Sequence, residues 1–489
     1  MNLTLPPTCD GYRTFLKVKS LPQYRFTGRT ATFPDEYAVR LGLGMEDVQS
    51  LPYEPSDFLF DYQRDIARIS IEKQRYSVFA DCGLGKTLIF MEYARHVAKE
   101  LPADKCILII SPLMVIPQTI AESERWYGSP LRQVRAAELG DWLKAPDSRI
   151  AITNFEALTD DLDPGQLGCL IIDESSMLKS HYGKWGRTIL RLGAGLRWKW
   201  CGTGTPAPND RIEYANHAVF MGAFPNVNAF LARYFVNRGQ TQERWTLKPH
   251  AIGPFYRAIS HWCIFLTNPA TYGWKDHSAD IPPIHVTMHD IPLTQVQQDA
   301  IQDTTGQLIV THSGGIGQRS KLGQISKGRH NGTAIATNKP EYIRKLVESW
   351  PDESTIVWCI YNPEQDTMER VFPEAASMRG ATPYAERMKM IDDFKSGRCK
   401  VLISKPKILG FGLNLHIATR QVFSGLQDSY ESYYQAVKRS NRVGSTRPLH
   451  VHIPMTSAER PMVENVLRKA HRVHEDTLEQ ERLFHELTR

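Results

Sequence analysis

Ala80-Asp81-Cys82-Gly83-Leu84-Gly85-Lys86-Thr87 is the stretch that decides the fold; it follows the apolar run Val78-Phe79-Ala80 and opens a helical pattern from Leu88 to Val97. A phosphate chain needs closely packed donors, which only a Gly-rich turn lets the backbone supply. It also needs the positive end of a helix, a lysine for the β and γ charge, and a hydroxyl to help hold Mg²⁺. Gly83 and Gly85 permit the turn, Lys86 supplies the charge and Thr87 the magnesium hydroxyl. Ala80 stands where the usual pattern has its first glycine. A second acidic site is expected at the C-terminal end of a neighbouring strand, and Cys169-Leu170-Ile171-Ile172-Asp173-Glu174 supplies one. Asp173 is placed to anchor Mg²⁺ through its water shell, and Glu174 to orient and deprotonate an attacking water. A kinase and a plain P-loop ATPase carry the same two motifs, so these alone leave the class open.

Working outward, short β-branched runs alternate with helical patterns, the signature of a parallel sheet. The first set is Val78–Ala80, Ile107–Ile110, Ile150–Ile152, Leu170–Ile172 and Trp198–Cys201. The second set is Ile356–Ile360, Val401–Ile403, Val422–Phe423 and Val451–Ile453. The fold class is therefore α/β, with two parallel-sheet domains in tandem, helical insertions and a short N-terminal appendage. The boundaries are placed at 1–50 for the appendage, 51–285 for the first domain and 286–489 for a linker and the second domain. Within the first domain, about 206–285 reads as helices with loops. Gly314-Gly315-Ile316-Gly317 and Lys327-Gly328-Arg329 mark the junction, and the chain closes in a highly charged helix over 455–489.

The chain has 489 residues, 42% of them hydrophobic and 23% charged, which is an ordinary globular composition. Lys and Arg number 59 against 53 Asp and Glu, a net +6 that permits a polyanionic partner without demanding one. The eight cysteines include no CxxC pair, so neither a zinc ribbon nor a disulfide framework is expected, and a reducing compartment fits. The N-terminus lacks the basic and apolar regions of an export signal, and no run approaches the ~18 apolar residues of a membrane span. A cytoplasmic protein with no membrane partner is expected.

With Lys86 and Asp173-Glu174 in place, the chain resembles the superfamily 2 helicases and translocases of the Swi/Snf-like branch. Gln63, in Phe60-Asp61-Tyr62-Gln63, lies where that family keeps an adenine-reading glutamine, which implies ATP. Ser111-Pro112-Leu113 looks like motif Ia, a loop that touches a nucleic-acid phosphate. Gly202-Thr203-Gly204-Thr205-Pro206-Ala207-Pro208-Asn209 is similar to the Swi/Snf form of motif III, whose hydroxyls link the ATP site to the nucleic-acid groove. Gly410-Phe411-Gly412-Leu413-Asn414-Leu415 is similar to motif V, which implies a nucleotide contact at Gly412. Gln435-Ala436-Val437-Lys438-Arg439-Ser440-Asn441-Arg442 is similar to motif VI. On a helix, positions 435, 439 and 442 share one face, and Arg439 and Arg442 would present two guanidiniums to ATP. The resemblance covers roughly 55–455. The lack of large insertions and Ser404-Lys405-Pro406-Lys407 bring compact phage and bacterial helicases of the DEAD/DEAH type nearest. Three departures stand out: Ser176 where relatives usually have His, Ser445 where Gln is common, and motif V one residue further from its strand.

The resemblance implies two RecA-like domains that hydrolyse ATP with Mg²⁺ between them and so move along or remodel DNA. Duplex or branched DNA is favoured, with single-stranded DNA as a further substrate and a monomer sufficing. Bacterial or phage-infected host cytoplasm is the expected compartment. Two alternatives stay open: an RNA helicase, and a nucleotide-gated DNA-binding clamp with little turnover. A strand-separating wedge would have to come from the appendage or from Phe224, Phe230, Tyr234, Phe235 and Trp245, whose plainer reading is helical core. Arg319, Lys321, Lys327 and Arg329 form a basic stretch that either tracks phosphates or is simply solvated.

Overall fold

Each of the apolar runs above lies in a strand of the computed structural model, except that Cys359 and Ile360 fall beyond the end of the strand Thr355–Trp358. The structure describes residues 1–19, 21, 24–33, 37–38, 41, 43, 51–179, 183–239, 245–275, 281–306, 316–409, 414–427, 429–442 and 444–488. Gly314 and Gly315 lie outside the described residues. The chain divides into two compact units, one of Met1–Asp276 with Glu475–Arg489, the other of His277–His474. The second unit thus begins ahead of the expected 285/286 boundary. The strand Ile284–Asp290 crosses that boundary and pairs along its whole length with Leu449–Met455.

In the first unit, seven parallel strands stand in the order Cys263–Leu266, Arg75–Ala80, Trp198–Gly202, Leu167–Asp173, Cys106–Ser111, Ile150–Asn154, Arg132–Gln133. Ile107, Leu108, Ile109 and Ile110 are fully buried because helices cover both faces, which is why their run is continuous and not alternating. The helix Lys86–Glu100 runs through this core, burying Ile89, Phe90, Met91, Tyr93, Ala94 and Val97. Its buried Glu92 accepts hydrogen bonds from Tyr53 Oη (2.8 Å) and Ser56 Oγ (2.6 Å), which fixes the segment leading to Gln63.

The 206–285 region is not only helices and loops. Tyr214–Phe220, Val227–Tyr234 and Ile252–Ile259 are helices, but Cys263–Leu266 is the edge strand beside Arg75–Ala80. Phe224, Phe230, Tyr234 and Phe235 are buried in the core, as the plainer reading had them, while Trp245 is half-buried on a two-stranded ribbon. The appendage is a three-stranded antiparallel sheet (Asn2–Thr4, Thr30–Thr32, Arg25–Thr27) with the helix Cys9–Lys19.

The second unit holds six parallel strands in the order Ile284–Asp290, Leu449–Met455, Arg420–Phe423, Thr355–Trp358, Val401–Ser404, Ala376–Ser377. Lys327, read above as part of a phosphate-tracking or solvated stretch, is neither. Its side chain is buried against Glu459 (2.6 Å), which also pairs with the buried Lys339 (2.5 Å). Buried charges persist only when paired, and here both lysines share one carboxylate.

A histidine ladder lies across the two outermost strands. His289 and His452 share a hydrogen bond at 2.9 Å, His285 faces His450 with ring centroids 5.0 Å apart, and Trp350 lies 4.4 Å from His452. Tyr342 Oη reaches the other nitrogen of His289 at 2.9 Å, and Arg420 sits over Trp350. Burial, with His289 and Arg420 beside it, pushes His452 down to about 4, and burial also lowers His289 and His450. The unfolded chain, with histidines near ~6.5, binds protons before the folded one, so stability is full above that pH and falls toward pH 4. Discounted for residual solvent, the effect is on the order of 1 kcal/mol, or about 2–4 °C in a domain this size. Thermal unfolding at pH 7 and pH 5 is expected to show that drop, and His452→Phe to shrink it. An equal drop in both proteins would remove His452 as its source.

Candidate active site

Parallel topology gathers the site at one end of one sheet. Four adjacent strands, Arg75–Ala80, Trp198–Gly202, Leu167–Asp173 and Cys106–Ser111, end side by side, with Asp173 in register with Gly202. Their C-terminal ends deliver, in that order, the Asp81–Thr87 turn, Thr203, Asp173 with Glu174, and Ser111. Ligand sites of open α/β sheets form at such ends.

Gly83 and Gly85 both take left-handed backbone, with φ of 91° and 68°, which favours glycine. A Cβ on Gly85 would also collide with the amide of Gln63, so that side chain lies directly against the turn. Gln63 is buried, its Oε1 accepts from the Phe60 backbone N–H (3.0 Å), and Tyr62 Oη donates to the Leu84 carbonyl (3.1 Å). Lys86 Nζ donates to the carbonyls of Ala80 (2.6 Å) and Asp81 (3.2 Å), which holds the ammonium over the turn. Thr87 follows in the first turn of the helix, whose N-terminal N–H groups and dipole favour an anion.

Asp173 is buried at the strand end and accepts from Ser111 Oγ at 2.9 Å. Burial, and then the neighbouring Glu174, push its carboxyl up to about 6, while Ser111 and the Lys86 charge draw it back. A buried carboxylate beside a second one calls for a cation. The donor set here, the Asp173 carboxylate and the Thr87 hydroxyl, is hard oxygen of the kind Mg²⁺ takes alongside water and phosphate. Among the described residues no group of three or more His, Cys, Asp or Glu is placed to hold a metal ion.

Glu174 stands in left-handed backbone (φ 59°, ψ 56°), an uncommon conformation for a residue with a side chain. That turn brings its Oε1 to two hydroxyls: Ser176 Oγ at 3.1 Å, and Thr203 Oγ1. Ser176, the departure from the usual histidine, therefore makes a direct hydrogen bond to the acid. Thr203 Oγ1 also accepts from the Thr205 N–H (3.1 Å), so the 202–209 loop is tied to Glu174. From that loop, Asn209 donates to Glu213 through its backbone and side chain, at 2.9 and 2.8 Å. His217, buried and pushed down to about 4, touches both the Glu213 carbonyl (3.3 Å) and Ser175 Oγ (3.0 Å). These hydrogen bonds, joined by the backbone between them, link the acidic pair to the 202–209 loop and to the helix that follows it. Ser111 departs from its motif Ia reading: its hydroxyl is fully buried and bonded to Asp173, while Leu113 two residues on is exposed. No local sequence signal marks that role, since it arises only where two strands lie side by side.

The structure brings Gln63, Gly83, Gly85, Lys86, Thr87, Asp173 and Glu174 together in the first unit. Arg439 and Arg442 belong to the second unit, and Gly412 lies outside the described residues, with Gly410, Phe411 and Leu413. The shared helix face expected for Gln435, Arg439 and Arg442 is not found. The helix Tyr430–Val437 ends before both arginines. Tertiary hydrogen bonds end it. The Arg439 carbonyl accepts from the Leu415 N–H (2.9 Å), and the Gln421 amide donates to the Ala436 carbonyl (3.0 Å) and Ser440 Oγ (2.8 Å). Ser445 then shapes the turn: its Oγ donates to the Ser440 carbonyl (2.7 Å) and accepts from the Arg442 N–H (3.2 Å).

Comparison with known proteins matches the SNF2-related domain to residues 69–333 and the helicase conserved C-terminal domain to residues 338–444. Protein p41 of Acyrthosiphon pisum secondary endosymbiont phage 1 is 23% identical over 80% of this chain and 91% of its own length. The mouse DNA annealing helicase and endonuclease ZRANB3 is 22% identical over 82% of this chain. The Schizosaccharomyces pombe ATP-dependent helicase fft1 is 32% identical over 26% of it. This chain spans only 38% of the mouse protein and 14% of the yeast one. Among solved structures, the Sulfolobus solfataricus SWI2/SNF2 ATPase core in complex with double-stranded DNA aligns with a TM-score of 0.41 and 19% identity, over 83% of this chain and 90% of that one.

Proposed function

The chain belongs to the SNF2-related family, and we propose that it is an ATP-dependent translocase acting on duplex or branched DNA. One observation carries this reading: Glu174 is held by hydroxyls from its own loop and from the 202–209 loop, beside Asp173 and Lys86. That is the arrangement a hydrolytic base needs when its activity must follow a second loop. Lys86 and the amides of the Gly83–Gly85 turn hold the β- and γ-phosphates, and Gln63 reads the adenine. Mg²⁺, held by Thr87 and by Asp173 through water, would neutralise phosphate charge. Glu174 takes the proton of the attacking water, and Arg439 and Arg442 of the second unit stabilise the charge that develops on the transferring group. Gly412 completes the nucleotide contacts.

In this reading each turnover is coupled to a step along the strand. The chain works as a monomer in this reading, in bacterial or phage-infected cytoplasm. No helix among the described residues is long and apolar enough to cross a membrane.

The test is the steady-state ATPase rate with no polymer, single-stranded DNA, duplex DNA, branched DNA and single-stranded RNA, with Lys86→Ala as the blank. Stimulation mainly by duplex or branched DNA is expected, with no turnover in Lys86→Ala. Stimulation mainly by RNA would replace the substrate. Tight DNA binding with a flat, near-zero rate would make the chain a nucleotide-gated clamp.

A further inference from the structure

We propose that the N-terminal appendage is a separate contact surface for single-stranded DNA, on which unpaired bases stack. Four aromatic rings form a continuous run across it. Tyr12 and Phe15 lie 5.8 Å apart between centroids, Phe15 and Phe26 4.9 Å, and Phe26 and Tyr24 5.7 Å. The appendage's own core is Val18, Leu21, Ala31, Phe33, Tyr37 and Leu41, with Tyr24 and Phe26 packed against its edge, while Tyr12 and Phe15 lie outside that cluster. Tyr12 is 61% exposed, and Phe15, Tyr24 and Phe26 are half-buried.

Cations fringe the rings. Residues 1–33, which carry the rings, contain Arg13, Lys17, Lys19, Arg25 and Arg29 against the single acid Asp10, and all five cations are exposed; residues 34–50 add Arg40 and the acids Asp35, Glu36, Glu46 and Asp47. Asp10 is itself paired with Arg13 at 3.0 Å. The Lys19 ammonium lies 5.4 Å over the Phe15 ring, and the Arg233 guanidinium of the helix Val227–Tyr234 lies 5.7 Å from Tyr24. The positive fringe thus continues onto the body of the same unit.

Exposed rings among cations fit a polymer that offers both phosphates and open base faces. A duplex presents the phosphates but keeps its base faces stacked inside, so it would engage the lysines and arginines and leave the rings idle. A single-stranded tail or an unpaired junction engages both. The choice of DNA rests on the function proposed above; the choice of an unpaired strand rests on the rings.

The test uses the full chain, fluorescence anisotropy with a labelled oligothymidylate or a blunt duplex, and ATPase rates with the duplex. Tyr12→Ala is expected to weaken oligothymidylate binding about 5- to 10-fold, and to leave duplex binding and duplex-stimulated turnover within about twofold. Tyr12→Phe, which keeps the ring, is expected to bind as wild type and so separates stacking from folding. Lys17→Gln with Arg25→Gln is expected to weaken binding and to reduce the slope of log affinity against log salt by about 1.4, at ~0.7 per phosphate contact on a single strand. Unchanged oligothymidylate binding in Tyr12→Ala overturns the proposal. So does an equal loss on duplex, or competition by heparin as effective as unlabelled oligothymidylate, since either means a general polyanion surface. Preference for oligouridylate overturns the choice of DNA. If no polymer stimulates the wild-type ATPase, the translocase reading fails, but Tyr12-dependent oligothymidylate binding still decides this one.

Discussion

Glu174→Gln is expected to bind ATP as tightly as wild type and to hydrolyse it about 10²- to 10⁴-fold more slowly, the range for loss of a positioned general base. The substitution suits the site because both hydrogen bonds to the Glu174 carboxylate enter it. Ser176 and Thr203 donate to Oε1, and a glutamine carbonyl oxygen accepts from both just as well. The loop geometry and the left-handed backbone at 174 are therefore retained while the basic oxygen is lost. Binding of a fluorescent ATP analogue and single-turnover hydrolysis separate the two effects. Thr203→Val tests the neighbouring link. It leaves the carboxylate but removes the donor that ties it to the 202–209 loop, so basal turnover is expected to fall less than its stimulation by DNA. Normal turnover in Glu174→Gln would take the base out of this residue altogether.

That much of the site was legible because its chemistry is local in sequence. Gly83, Gly85, Lys86 and Thr87 act through one turn and the helix it opens, and Asp173-Glu174 through one strand end. The inner strands were equally plain, since a strand covered on both faces is apolar at every position, as Ile107–Ile110 is. The four strands of the two large sheets that no such run marks, Arg132–Gln133, Cys263–Leu266, Ile284–Asp290 and Ala376–Ser377, all lie at sheet edges. Cys263–Leu266 is only four residues long, and Ile284–Asp290 breaks its apolar pattern with His285, Thr287 and His289. Lys327 was misread for a related reason, because its partner Glu459 is 132 residues away and a basic stretch carries no sign of a distant carboxylate. The end of the helix at Val437 has no Gly or Pro to announce it. It is imposed by Leu415, in the loop before the strand Arg420–Phe423, and by Gln421 within that strand. Ser111 is the same case within the site: its hydroxyl matters only because its strand lies next to that of Asp173.

Arg442→Ala is expected to retain ATP binding and lose hydrolysis by about 10³-fold or more, as arginines that complete a phosphoryl-transfer site do. The loss falls on the chemical step because a guanidinium stabilises charge that grows in the transition state, and little of that charge exists in bound ATP. Arg442→Lys is expected to recover little, since an ammonium lacks the planar fork that meets two phosphate oxygens. The turn after Val437 gives a second way to ask the question. Ser445 Oγ bridges the Arg442 N–H and the Ser440 carbonyl, so Ser445→Ala leaves the guanidinium in place and removes only what orients its backbone. A loss of about 5-fold, well short of that in Arg442→Ala, is the expected result, given about 1 kcal/mol for the hydrogen bond that Ser445 Oγ accepts from the Arg442 N–H. If Ser445→Ala matched Arg442→Ala, the turn and not the charge would govern turnover. If Arg442→Ala hydrolysed ATP normally, Arg439 would be left as the sole guanidinium for that role.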